Sequence, residues 1–213
     1  MSLKTAIVRQ FGKPSGLIGG LAGHIMARRS SNRIRNRRTV ELMDLKPNSR
    51  VLEFGCGPGL ALALCAETVG KGRIVGIDHS PVMIRQAKQR LAKTGLDENV
   101  ELFTGGIERL SELAAPLDRV YSLNVIQFIN DKADYYQRVF NILATGGVCF
   151  TTYQPRLDND NPNGAAQMAD RIEAEMTSVG FEDVTKTKIS AGETPAICVS
   201  AIKQSAAYNA SQP

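Results

Sequence analysis

The chain predicts a doubly wound α/β fold: a mostly parallel sheet with helices on both faces. Three observations carry this. Strand-like and helix-like segments alternate five times before two further strand-like segments, and such alternation implies crossover connections and parallel pairing. The first strand-like run, Val51-Leu52-Glu53-Phe54, enters a turn with glycine at 55, 57 and 59. The second, Arg73 to Asp78, ends in an acid. In open parallel sheets ligands bind beyond the carboxyl ends of the strands, so these two ends are where a site is expected.

The elements follow in order. Residues 1–31 are punctuated by Gly12, Gly16, Gly19, Gly20 and Gly23, and Leu17, Ile18, Leu21, Ile25 and Met26 suit a short amphipathic helix. Residues 32–44 suit a longer one, with Ile34, Val40, Met43 and the following Leu45 as apolar positions and Pro47 closing it. The first strand, 50–54, leads to a helix over 60–69, and the second strand spans 73–78. Ser80-Pro81 starts a helix that stops at Gly95, because serine suits the cap and proline the first turn. Strands at 100–103 and 118–123, a helix at 132–143 and a strand at 148–153 follow. A polar loop, 155–164, precedes a helix over 165–178 and strands at 181–189 and 196–202. The predicted division is an N-terminal helical extension or lid (1–45), the main domain (46–204) and a polar tail (205–213).

At 213 residues the chain suits one α/β domain with a modest extension. No apolar run reaches about 18 residues, so no membrane span is expected. Cys56, Cys65, Cys149 and Cys198 form no Cys-x-x-Cys pair and read as reduced packing residues of a cytoplasmic protein. With His24 and His79 as the sole histidines, a histidine-based metal site is not expected. Residues 1–40 hold nine Lys and Arg and no acid, so this segment is +9; against +5 overall, the remainder is −4. The excess reads as a solvated helix face in preference to a nucleic-acid or membrane surface.

The glycine turn admits two readings. A dinucleotide fold needs a small residue at the sixth position, where helix packs on strand. Counting from Gly55 that position is Leu60, which is too bulky. The pattern is instead E-x-G-x-G-x-G over residues 53–59. With Gly76-Ile77-Asp78-His79-Ser80-Pro81-Val82-Met83, it resembles the class I S-adenosylmethionine (SAM)-dependent methyltransferases over about residues 40–203. The N-terminal block Phe11 to Met26 is similar to the broad ubiquinone/menaquinone-like, small-molecule group of these enzymes.

The resemblance implies a Rossmann-like, seven-stranded sheet whose last strand runs antiparallel beside the fifth. It implies SAM as cofactor and S-adenosylhomocysteine as product. Gly55, Cys56, Gly57 and Gly59 would run beside the methionyl group and ribose, and Glu53 would stand near the ammonium. Glu53 can equally serve to order the glycine turn alone. Asp78 would accept the ribose hydroxyls, since a carboxylate offers two oxygens to a vicinal diol. His79 and Met83 would flank the adenine. Gly106 stands where many relatives have an aspartate for the adenine amino group, leaving the backbone at Ile107, or Glu108, for that role. Asn124 and Val125 would line the methionyl site. Gln127 replaces a common histidine or tryptophan, so no histidine base is expected there.

Methyl transfer from a sulfonium is an in-line displacement helped mainly by alignment, so no base is required. Tyr153 is a weak candidate to orient or deprotonate an acceptor, and a packed aromatic is the preferred reading. Met26, Gln127, Phe128 and Tyr153 are substrate-pocket candidates, and Arg28 or Asn32 could reach the SAM carboxylate. Asp158-Asn159-Asp160 reads as loop polarity in preference to a magnesium site. The expected activity is methyl transfer to a small molecule. Alternatives are a nucleic-acid methyltransferase using the basic N-terminus, or a non-catalytic SAM-binding protein. The absence of an Asn-Pro-Pro-Tyr-type motif, and of a cysteine after the fourth strand, disfavours the nucleic-acid reading. Neither the acceptor nor the oligomeric state is specified.

Overall fold

The computed structural model describes residues 30–155 and 163–204. Helix α1 (Ser30–Leu42) precedes β1 (Arg50–Phe54), α2 (Leu60–Ala66), β2 (Arg73–Asp78), α3 (Pro81–Thr94) and β3 (Val100–Thr104). Then come β4 (Leu117–Leu123), α4 (Lys132–Ile142), β5 (Leu143–Tyr153), α5 (Gly164–Val179), β6 (Glu182–Ile189) and β7 (Ala196–Ile202), with short 3₁₀ turns at Ile107–Glu112 and Ile126–Phe128. The seven strands form one sheet in the order β3-β2-β1-β4-β5-β7-β6. Neighbours from β3 to β5 pair parallel, and β7 lies antiparallel between β5 and β6. Strand order reverses between β1 and β4, where the predicted glycine turn leaves β1.

Side-chain alternation divides the core into two layers. Leu52 and Phe54 of β1 face the layer built with α4 and α5, where Tyr135, Tyr136 and Ile172 pack. Val51 faces the other layer, with Met43, Leu62, Cys65 and Leu91. Glu53 shares the Val51 face, so the pleat buries an acid among apolar residues (2% exposed). Cys65, Cys149 and Cys198 pack in these layers.

Most elements match the sequence reading, and four differ. The first helical turns after β1 end at Ala66, and Val69 is buried beyond them. Strand β5 starts at Leu143, directly after α4, and its pairing with β4 shifts register between Leu117 and Arg119. Ser80 holds the α3 cap position without a side-chain cap bond, and its N–H goes to the Asp78 carboxylate instead.

Helix α1 carries the largest correction. Its buried residues are Arg35, Asn36 and Thr39, whereas the predicted apolar position Ile34 is 40% exposed. The reason lies in what the helix meets. Thr39 Oγ1 lies 2.9 Å from Thr152 Oγ1, and Arg35 Nη1 donates to Gln154 Oε1 at 2.6 Å, both at the carboxyl end of β5. Buried polar groups at strand ends are costly without partners, so they select a polar helix face. Residues 30–43 are therefore tied into the main domain. Among the described residues, no helix is long and apolar enough to cross a membrane.

Candidate functional site

A cavity of about 590 Å³ opens at the carboxyl ends of β1, β2 and β4. The glycine turn and Glu53 form one wall, and Asp78, His79 and Met83 a second. Gly106 to Glu108 form a third. The segments 123–125 and 128–131 and the first turns of α1 complete it.

Asp78 is 6% exposed, and each of its oxygens already holds one backbone donor. The Gly57 N–H donates to Oδ2 at 2.8 Å and the Ser80 N–H to Oδ1 at 2.9 Å. Burial pushes this carboxyl upward, while the Ser80 and Gly57 amides draw it back. A carboxylate oxygen has two lone pairs, so each keeps one for a ligand donor. His79 Nδ1 lies 3.6 Å from Asp78 Oδ1, and its side chain is 47% exposed.

Glu53 lines the cavity from the core side. Its Oε2 accepts the Tyr121 hydroxyl at 3.0 Å. Burial raises its carboxyl well above the ordinary glutamate range; the Tyr121 hydrogen bond opposes that rise, and the Asp78 charge adds to it. A cation delivered to the cavity would relieve this desolvation.

Arg35 also lines the cavity, buried and held by Gln154 and by the Asn32 amide oxygen. Asn36 Nδ2 donates to the Asn32 carbonyl at 2.6 Å, fixing the same turn. Gln154 is anchored in turn by Nε2 bonds to the carbonyls of Ala191 (2.8 Å) and Thr194 (2.7 Å). Asn124, at φ 54°, accepts the Gln154 N–H at 2.7 Å and donates to its carbonyl at 3.1 Å. That pair extends the β4–β5 ladder past its last backbone bond and fixes Asn124 at the cavity wall. Arg35 is the sole Lys or Arg among the described lining residues.

The structure brings Glu53, Gly55, Cys56, Gly57, Asp78, His79, Met83, Gly106, Ile107, Asn124, Val125 and Phe128 around this cavity. It does not bring three others there. Gly59 caps α2 at φ 76°, and a Cβ on it would lie 2.9 Å from the Ala87 Cβ, so this glycine lets α2 approach α3. The Gln127 amide turns back to the Asn124 carbonyl at 2.8 Å. Tyr153 packs against the α4–α5 layer. Glu108 folds onto the Gly106 N–H at 2.7 Å. Met26, Arg28, Asp158 and Asp160 lie outside the described residues.

Arg35, Asn36, Asn130 and Asp131 also line the cavity and were not expected there. Asp131 had a legible signal, since it caps α4 by accepting the Asp134 N–H at 2.9 Å. Nothing in the sequence separates Arg35 from its surface neighbours Arg37 and Arg38.

A family model described as a methyltransferase domain matches residues 45–208. An uncharacterized methyltransferase of Bacillus subtilis, YdaC, is 29% identical over 164 residues, covering 77% of this chain and 87% of the relative. A trans-aconitate 2-methyltransferase of Methylobacterium radiotolerans is 32% identical over 117 residues, covering 54% of this chain and 42% of the relative. The crystal structure of a SAM-dependent methyltransferase from Aquifex aeolicus superposes with a TM-score of 0.64 at 17% identity, over 79% of this chain and 89% of that one. The expected fold and cofactor thus hold, and the chain belongs to the class I SAM-dependent methyltransferases.

Proposed function

We propose that the protein methylates a small molecule, with cofactor and acceptor sharing this cavity. The observation that carries this is its shape. At about 590 Å³, bounded on one side by α1, it matches the size of small-molecule pockets and not an extended groove.

The residues fit SAM. Two buried opposite charges, Glu53 and Arg35, line one cavity and suit the ammonium and carboxylate of the methionyl group. Asp78 keeps lone pairs for the ribose diol, and His79 and Met83 stand beside it for the adenine. Glu108 is already engaged with Gly106, which favours the Ile107 backbone as the adenine reader. When bound, SAM supplies an electrophilic methyl on a sulfonium. The protein's part is to hold both partners in line and exclude water. Phe128, lining the cavity yet 49% exposed, is placed to meet an acceptor at the mouth. Tyr153 does not line the cavity, so no base is assigned.

Asn32, in the first turn of α1, lines the cavity. We propose the N-terminal extension, residues 1–45, as a lid; its residues 1–29 lie outside the described residues. The four buried thiols fit a reducing compartment, and we place the protein in the cytoplasm.

Incubation with methyl-labelled SAM and a fractionated cell extract tests the substrate class. Label is expected in the low-molecular-mass fraction. Label confined to RNA or DNA would overturn the small-molecule reading, and no label in any fraction would favour a non-catalytic binder.

A further inference from the structure

Glu53 and Tyr121 stand directly opposite each other on the parallel strands β1 and β4, so their side chains share one face. Tyr121 is fully buried and does not line the cavity, whereas Glu53 does. The phenol has a single proton, and it is used on Glu53 Oε2 at 3.0 Å. Cys65, projecting from α2, lies 3.3 Å from the same hydroxyl oxygen. With the phenol proton spent, the thiol is the donor in that contact. Both protons therefore point toward the carboxylate, an arrangement that serves an ionised Glu53.

We propose that Tyr121 is a positioning residue for the cofactor ammonium, pinning one oxygen of Glu53 from the core side so that the lone pairs left by Tyr121 and the Leu62 N–H serve the cavity. This rests on the reading that Glu53 meets the methionyl ammonium. An apolar layer would pack as well around phenylalanine, and the hydroxyl is explained by the carboxylate it holds. Without it, Glu53 would have one donor fewer and freedom to rotate away from the ligand.

Protonation adds a second signature. The titratable groups around Glu53 are Tyr121 of β4, Asp78 of β2, Cys65 of α2 and Cys56 of the glycine turn. Burial, and then the Asp78 charge, favour neutral Glu53, while the Tyr121 bond and, after it, the Leu62 N–H favour the ionised form. A ligand cation favours the ionised form too, so binding of the ammonium releases a proton. Affinity for an ammonium-bearing ligand falls as pH drops through the Glu53 transition, and loss of the Tyr121 hydroxyl moves that transition to higher pH.

The test compares S-adenosylhomocysteine, which carries the ammonium, with 5′-methylthioadenosine, which lacks it. Calorimetric titrations use the wild type, Tyr121→Phe, Glu53→Gln and the double variant, over the whole pH range in which each stays folded. Tyr121→Phe is expected to weaken S-adenosylhomocysteine about 3- to 10-fold, the loss of roughly one hydrogen bond. Methylthioadenosine affinity should stay within about twofold, which also reports an intact fold. The double variant should bind no worse than Glu53→Gln, and the pH transition should rise in Tyr121→Phe and vanish in Glu53→Gln. Equal losses for both ligands, no loss for either, or additive losses in the double variant would overturn the proposal. Wild-type protein that binds methylthioadenosine and S-adenosylhomocysteine with the same affinity at every pH would instead remove the Glu53–ammonium reading beneath it.

Discussion

The Gly57 N–H donates to Asp78 Oδ2 at 2.8 Å, joining the turn after β1 to the tip of β2. The bond organises the cavity before any ligand arrives, because it fixes the glycine turn against the carboxylate assigned to the ribose. Asp78 thus has a structural and a binding duty at once.

Replacing Asp78 with alanine removes both. Losing hydrogen bonds to a charged acceptor costs about 1.5–3 kcal/mol, so SAM affinity should fall about ten- to hundred-fold. The Gly57 and Ser80 amides also lose their acceptor, so the cofactor-free variant should melt several degrees lower. Calorimetry with SAM and a thermal melt without it check the two halves.

Glu53→Gln should separate stability from binding. Burial raises the Glu53 carboxyl in the folded chain. Above about pH 4.5 the unfolded chain releases this proton while the folded one retains it, so Glu53 costs stability as pH rises toward its folded value. Glutamine does not titrate. The cofactor-free variant should therefore melt above wild type near pH 7, with the gap closing below about pH 4.5. Its SAM affinity should fall, and melts and titrations across pH decide both.

Arg35→Ala should weaken S-adenosylhomocysteine about ten-fold or more, as expected for a charged hydrogen bond. Methylthioadenosine, lacking the carboxylate, should be affected far less. Lysine should rescue poorly, because its point charge cannot reproduce a guanidinium held at once by Gln154 and Asn32. Dissociation constants for the three proteins measure this.

Gly59→Ala and Gly57→Ala should differ. Both residues have positive φ, but a Cβ at 59 meets Ala87 at 2.9 Å while one at 57 meets nothing within 4 Å. The Gly57 variant should lose about 1–2 kcal/mol for its left-handed backbone alone. The Gly59 variant should lose more, since α2 must also move off α3. Denaturant unfolding of both variants gives the comparison.

Deleting residues 1–29 should weaken SAM binding and abolish turnover, while the remainder keeps its cooperative melt. Retained SAM affinity, together with salt-sensitive polynucleotide binding by the intact chain alone, would favour the nucleic-acid arm instead. Parallel titrations of the two proteins distinguish these outcomes.

Much of this protein was legible locally. The apolar runs at 50–54 and 73–78, the helix stops at Gly95 and Gly180 and the glycine turn are short-range signals, and each reappears at its predicted place. The acid at the end of β2 pointed to the cavity because chain direction alone puts it at the switch point of the sheet. Tertiary structure decided what depends on distant partners. Arg35 lines the cavity because Gln154, 119 residues later, waits at the end of β5. Periodicity chose Ile34 for the inner face of α1, but Thr152 and Gln154 present polar groups there, and leaving them unpaired would cost more than exposing one isoleucine. Tyr153 and Gln127 fell near the site in sequence yet outside the cavity, since the pleat of β5 and one turn of 3₁₀ helix aim them elsewhere. Local chemistry determined the elements and the cofactor ends of the strands; long-range hydrogen bonds between polar residues, which carry no periodic signature, determined which side chains close the cavity.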